Sequence, residues 1–254
     1  MSQDNDNSKA VEVLPETIPQ AIRVWAERSA EAPALLAPGR TSLTYGRLWK
    51  QIENIVGWLN RMGIGRNDLV ALMVPNGPEM AVAILGIASG AAVTPINTAF
   101  GSEELERIFS DLRIRALVMQ AGLDSPAGDL ARARSIQVVE LMPSWDAEAG
   151  IFTLSGEDGV LAASAGICGP DDICRLTRTS GTTGRPKIIT HTHRHYSTRA
   201  RLWDSALQLS QTDRCMNLMP LIYGGGLMNG LVATLYAGGS VVCPPAFHQS
   251  SFFE

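Results

Sequence analysis

Nine consecutive residues hold most of the chemistry this chain could do: Thr179-Ser180-Gly181-Thr182-Thr183-Gly184-Arg185-Pro186-Lys187. Six of the nine are Gly, Ser or Thr, so the segment is a loop lined with hydroxyls and backbone N–H groups. Glycines let backbone come close to a ligand and take positive φ. Successive N–H groups form an anion-binding concavity, and Lys187 adds a compact positive charge suited to phosphate. Pro186 and the apolar pair Ile188-Ile189 return the chain to a strand. A plain Gly/Ser linker would need neither a Pro-Lys ending nor apolar strands on both sides. A Walker P-loop requires GxxxxGK[ST] ahead of a helix. Here the spacing is Gly181-x-x-Gly184-x-x-Lys187 followed by Ile188, so that reading is disfavoured unless a helix starts directly after Lys187.

Other groups are weaker candidates. His191, His193 and His195 alternate, and on one continuous strand they would share a face as a metal site might require. No acidic ligand lies close in sequence, so no metal site is assigned. Glu103, Glu104 and Glu106 suit helix charge better than acid–base work. Arg194, Arg199 and Arg201 read as a solvated helix face. Cys168, Cys174, Cys215 and Cys243 form no CxxC pair, which argues against zinc or a disulfide framework and for reduced thiols.

The elements that must position the loop alternate between β-branched apolar runs and helical patterns, which indicates an α/β fold with largely parallel sheets. Helices are expected at Thr17 to Glu31, Gly46 to Met62 (stopped by Gly63), Pro78 to Ser89, and from Ser102, as its cap, to about Leu112. Strands are expected at Leu69 to Val74, Ala92 to Pro95, Ala116 to Met119 and Gln137 to Leu141. Trp25, Tyr45, Trp49 and Trp58 fall at core positions. Pro143 to Gly169 is the least patterned stretch and reads as a surface excursion.

The 254 residues suffice for one large domain or two modest ones, and 45% are apolar. A net charge of −4 excludes nucleic-acid binding by bulk electrostatics. The start, Met1-Ser2-Gln3-Asp4-Asn5-Asp6-Asn7, has neither a basic nor an apolar region, so no secretory signal is read and a cytoplasmic location is expected. Cys215 to Phe253 carries no formal charge, but Pro220, Gly224-Gly225-Gly226 and Gly238-Gly239 break it into pieces too short to span a membrane.

The segment TSGTTGRPK resembles the phosphate-binding signature of the adenylate-forming (AMP-binding) superfamily, which includes acyl- and aryl-CoA synthetases, nonribosomal peptide adenylation domains and luciferases. Three more segments resemble that family in the same order. They are SLTYGRLW (Ser42 to Trp49), GIASGAAVTPINTAF (Gly86 to Phe100) and MPLIYGGGLMNGLVATLYAGGSVV (Met219 to Val242).

The resemblance implies an acid–thiol ligase of the acyl-CoA synthetase type. A carboxylic acid would be activated with ATP as acyl-AMP, and the acyl group passed to the thiol of CoA or of a carrier protein's phosphopantetheine. Thr179, Ser180, Gly181, Thr182, Thr183, Gly184 and Lys187 would hold the β- and γ-phosphates, with Lys187 the catalytic cation and Mg2+ offsetting the remaining charge. Tyr223, Gly224, Gly225 and Gly226 would line the acyl pocket, with Tyr223 where the family usually has histidine. Ile188 stands where many members have glycine, and His191 to Arg194 resembles the family's strand-to-helix junction, with His193 at a recurrent histidine.

By the same resemblance, residues 1–14 are a disordered tail and 15–254 the N-terminal part of an AMP-binding domain. Two sheet-and-helix lobes are expected. Lobe one covers about 63–210, and an incomplete lobe two combines about 15–62 with 211–254. The barrel and C-terminal domain of the family would lie outside this sequence, so the chain alone is expected to be inactive. Partners would then be the acid substrate and either a carrier protein or the missing C-terminal half. The alternatives are a non-catalytic nucleotide- or partner-binding module and an adenylation domain of a nonribosomal peptide system.

Overall fold

The structure is a computed structural model that describes residues 14–66, 68–156, 160–178 and 187–244. Thr179 to Gly184 lie outside the described residues, as does the N-terminal tail apart from Leu14.

The chain begins with helix α1 (Ile18–Arg28), strands β1 (Pro33–Leu36) and β2 (Leu43–Thr44), and helix α2 (Tyr45–Arg61). Thr17 and Thr44 cap the two helices, accepting the N–H of Gln20 and Arg47. Gly63, at φ 75°, ends α2 as expected. Then follow β3 (Leu69–Met73), α3 (Pro78–Gly90), β4 (Ala92–Pro95), α4 (Ser102–Asp111), β5 (Ile114–Gln120), α5 (Ala127–Ala133), β6 (Gln137–Pro143) and β7 (Phe152–Ser155). The remaining elements are β8 (Ile173–Arg178), β9 (Ile188–Thr192), α6 (His193–Leu207), β10 (Arg214–Met216), a π-helical segment (Gly225–Val232), α7 (Ala233–Tyr236) and β11 (Ser240–Val242).

These strands form two sheets. The larger has the order β7-β6-β5-β3-β4-β8-β9. Its five inner strands are parallel, and β7 and β9 pair antiparallel at the two edges. The smaller has the order β10-β11-β1-β2 and joins N-terminal strands to strands beyond residue 213. Two further bonds fasten those distant segments. Tyr45 Oη donates to Gly239 O at 2.7 Å, and Trp25 Nε1 donates to Tyr236 O at 2.9 Å.

Because successive strand residues point to opposite faces, β3 feeds two cores. Val70 and Leu72 join the large cluster shared with α1, α2, α3, α6 and the smaller sheet. Leu69, Ala71 and Met73 join a second cluster covered by α4 and α5. Helix α3 is buried along its whole length, which explains why its sequence is apolar all round rather than amphipathic. It approaches α2 closely because Gly86 and Gly90, one turn apart, face Ile55 and Val56; a Cβ at Gly86 would sit 2.3 Å from Ile55 Cδ1.

Two expectations are corrected. Gly101, not Ser102, is the N-cap of α4: Ser102 is already helical, and the Glu104 carboxylate accepts the Gly101 N–H at 3.1 Å. The stretch from Pro143 is also more than an excursion. Phe152–Ser155 extends the large sheet, and Arg40, ion-paired with buried Glu79, donates through Nη2 to Ser144 O and Glu148 O, both at 3.1 Å. Among the described residues no helix is long and apolar enough to cross a membrane. Pro220 and the glycines do divide the uncharged run into short pieces.

Candidate functional site

The five parallel strands all point their carboxyl ends to one edge of the large sheet, the edge where open α/β sheets present ligand-binding loops. Strand β8 ends at Arg178 at that edge and its hydrogen-bonded antiparallel neighbour β9 starts at Ile188, so the hydroxyl-rich sequence between them connects two adjacent strand ends. Thr177 pairs with Ile189 and Arg178 with Ile188. Lys187 stands exposed at the loop's exit, immediately before a strand and not a helix, which removes the Walker reading. Arg178 braces the loop's entry by donating to Asp111 Oδ2 at 2.9 Å, at the end of α4.

The three histidines do not share a face. The strand stops at Thr192 and His193 starts α6, so a period-two pattern does not persist through them. His191 is half-buried on β9, with its ring edge-on to Tyr196 at 5.9 Å. His195 closes the helix start: its Nδ1 accepts the Thr192 N–H at 3.2 Å, and its own N–H donates to Thr192 Oγ1 at 3.3 Å. His193 is fully buried. Its Nε2–H donates to Ala88 O at 2.8 Å, while Nδ1 faces the Ile18 N–H at 3.4 Å. Those partners are a free carbonyl in the last turn of α3 and a free N–H in the first turn of α1. One neutral imidazole thus satisfies the ends of two helices and fixes where the strand leaving the loop turns into α6.

The second candidate group, Tyr223 to Gly226, forms the turn that opens the π-helical segment. Tyr223 is 54% exposed, and Gly226 is buried. A Cβ on Gly226 would come within 2.2 Å of Met219 O, and one on Gly230 within 2.5 Å of Asn217 Oδ1. These two glycines, one turn apart, leave a bare stripe on which segment 217–220 packs, and Asn217 Nδ2 donates to Gly226 O at 3.1 Å.

Two residues passed over in the sequence connect this turn to the large sheet. Asn76, just beyond β3, accepts the Leu221 N–H at 2.9 Å and donates to Pro244 O at 3.1 Å. Arg175, in the middle of β8, is 4% exposed and donates through Nη2 to Ile222 O at 2.6 Å and through Nη1 to Tyr196 Oη at 3.2 Å. The signal for Arg175 was legible, since a charge inside the apolar run Ile173-Cys174-Arg175-Leu176 is out of place on a buried strand. Arg175 and Asn76 place the turn against β8 and β3. The structure therefore brings Lys187 and Tyr223 to Gly226 onto elements tied to one strand, β8, and leaves Thr179 to Gly184 outside the described residues.

Among the described residues no group of three or more His, Cys, Asp or Glu is placed to hold a metal ion.

Comparison with known proteins follows this geometry. The family described as AMP-binding enzyme matches residues 22–254. A probable CoA ligase from Humulus lupulus is 28% identical over 243 residues, covering 94% of this chain and 46% of that protein. The oxalate–CoA ligase of Arabidopsis thaliana is 29% identical over 233 residues, covering 90% and 45%. Among solved structures, apo MatB from Rhodopseudomonas palustris superposes with a TM-score of 0.76 at 20% identity, over 92% of this chain and 46% of that one. That last likeness bears on fold alone. The chain spans about half the length of these relatives.

Proposed function

The chain belongs to the AMP-binding enzyme family, and we propose that it supplies the ATP-loop portion of an acid–thiol ligase that activates a carboxylic acid as its acyl adenylate. The observation that carries this reading is the placement of the two ends of the hydroxyl- and glycine-rich sequence 179–186: β8 ends at Arg178 at the carboxyl edge of the parallel strands, and exposed Lys187 stands just before its neighbour β9. Strand β8 is bonded through Arg175 to Ile222, the residue before the turn Tyr223 to Gly226. The CoA-ligase names of the relatives support the same reading.

The chemistry asks little of the protein in the way of a nucleophile. A carboxylate oxygen of the acid attacks the α-phosphorus of ATP, the bond to the bridging oxygen breaks, and pyrophosphate leaves with the electron pair. A thiolate then attacks the acyl carbon and AMP departs. Such a reaction depends on orientation and on charge stabilisation at the departing phosphates. In this reading Thr179, Ser180, Gly181, Thr182, Thr183 and Gly184 direct N–H and O–H groups at the β- and γ-phosphates, and Lys187 offsets their charge. Tyr223 and the small residues after it border the acyl group. Magnesium, when bound, would offset the charge of the triphosphate.

Equilibrium dialysis with labelled ATP tests the reading on this chain. Saturable binding is expected, and Lys187→Ala is expected to weaken it by roughly tenfold or more, as for loss of a charge-assisted hydrogen bond. An unchanged dissociation constant in folded K187A would remove Lys187 from the role. Carboxylate-dependent exchange of pyrophosphate into ATP, run over aliphatic, aryl, dicarboxylic and amino acids, then identifies the acid class. Because the chain spans about half of its relatives, ATP binding without exchange is the expected behaviour of the isolated chain. Exchange by the isolated chain would show that this portion suffices for adenylation.

A further inference from the structure

The proposed function does not account for a guanidinium buried behind Ile222 that, among the described residues, forms no ion pair. Arg175 is almost wholly buried, and among the described residues its Nε has no hydrogen-bond partner. Its two made bonds go to neutral oxygens, Tyr196 Oη and Ile222 O, and none of the described ion pairs includes it. A buried charge without a counter-charge is costly. The surroundings deepen the deficit. His191 is Arg175's direct cross-strand partner and so shares its face. Burial first, and then the positive charges of Arg175, His195 and Arg199, hold the His191 imidazole below its usual range. Every charge acting on His191 there is positive. On the same face of β8, Thr177 Oγ1 is also buried without a partner among the described residues. Among the described residues, cationic and unspent polar groups thus gather on one side of β8, and no ion pair brings a carboxylate to Arg175.

We propose that Arg175, with His191 and Arg199 beside it, forms an anion subsite of the acyl pocket, and that the acid served by this chain carries a second carboxylate. The inference rests on the carboxylate-activating reading above. The position of Arg175 favours the acid over the triphosphate. It stands four residues before Thr179, about 13 Å back along an extended strand, and its direct contact is with Ile222, the residue preceding Tyr223 to Gly226. A planar guanidinium edge matches a carboxylate in shape and charge, and the unspent Nε–H is the donor left to meet it. The distal carboxylate would supply the missing negative charge, while the near one stays free to react. An uncharged chain end would leave the cation as unbalanced as before.

The test is calorimetric titration of the 254-residue chain with malonate and succinate, each against its monomethyl ester. The ester keeps the length and removes the second charge. The diacid is expected to bind at least tenfold tighter than the ester, and Arg175→Gln to abolish the difference. Because Arg175 is buried and its replacement can unfold the chain, exposed Arg199→Gln is the second variant; it is expected to narrow the difference several-fold with the fold intact. Equal affinity for diacid and monoester in the unaltered chain overturns the subsite, as does an undiminished preference in both folded variants. ATP titrated separately distinguishes the two readings. Normal ATP binding without diacid preference sinks the subsite alone, whereas diacid preference without ATP binding sinks the adenylating function and leaves an anion site.

Discussion

His193 shows how one residue can be read at atomic scale once its neighbours are known. It must donate to Ala88 O and accept from the Ile18 N–H, and a neutral imidazole with its proton on Nε2 does both. Protonation would set a second N–H against the Ile18 N–H. Burial pulls its pKa down from 6.5 to about 4, against smaller upward pulls from Ala88 O and Asp172. A histidine with a depressed folded pKa binds fewer protons folded than unfolded between those values. Its contribution to stability is therefore complete above pH 6.5 and lost as pH falls from 6.5 to about 4. The loss amounts to about 3 kcal/mol at one kcal-scale step per pKa unit. His191 titrates in the wild type and in His193→Gln alike, so the difference between the two proteins isolates His193. Urea unfolding across this range should show the stability advantage of the wild type shrinking as pH falls. An advantage constant with pH would mean that His193 does not titrate in this way. In the sequence, His193 looked like the middle of a metal-like triplet. The family resemblance also placed it at a strand-to-helix junction, but its two hydrogen-bond partners, 105 and 175 residues away, could not be read from the sequence.

At the scale of elements, the turn before the π-helical segment separates glycines that are needed from one that is not. Gly226 meets backbone oxygens at 2.2 and 2.6 Å from where a Cβ would stand, whereas Gly224 meets nothing within 4 Å and has φ −60°. Backbone cannot yield as a side-chain tip can. Gly226→Ala is therefore expected to destabilise the chain by about 2–3 kcal/mol or more, in the range of core overpacking. Gly224→Ala should be neutral or stabilising by up to about 1 kcal/mol, through the unfolded state. Paired denaturant curves check this, and equal midpoints for the two variants would contradict the packing described. The same turn marks the limit of what the sequence tells. Strands such as Leu69–Met73 and helices such as α2 were legible because period, capping residue and stop residue agree locally. The phosphate-type loop is a reading of extreme composition alone, since Thr179 to Gly184 lie outside the described residues. The pairing of β1 with β11, the placing of Asn76 against Leu221, and the burial of Arg175 beside Ile222 depend on segments far apart in the chain. No local pattern encodes those distances.

For the molecule as a whole, the smaller sheet is the less protected part. Among the described residues its edge strand β10 pairs only with β11, and no other described strand lies along its free side. Met216 on that strand and Met219 just after it are each 53% exposed, and the sequence from Cys215 to Phe253 carries no formal charge to oppose contact. Short edge strands resist pairing with other chains when they carry an outward charge, above all lysine, and Arg214 at the start of β10 is spent partly on Ser240 Oγ at 3.3 Å. Beyond Arg214 the edge is apolar and uncharged, and together with exposed Tyr223 it is a surface that associates. Sedimentation velocity over a concentration series should therefore show the chain self-associating as concentration rises. Met216→Lys should hold it monomeric at the same concentrations, because the added charge meets a like charge across any edge-to-edge contact. Wild-type chain that sediments as a monomer at every concentration would show that this edge is covered by something other than a second copy. Association undiminished by Met216→Lys would move the contact elsewhere, and the exposed residues Leu202 and Leu207 of α6 would be the next to change.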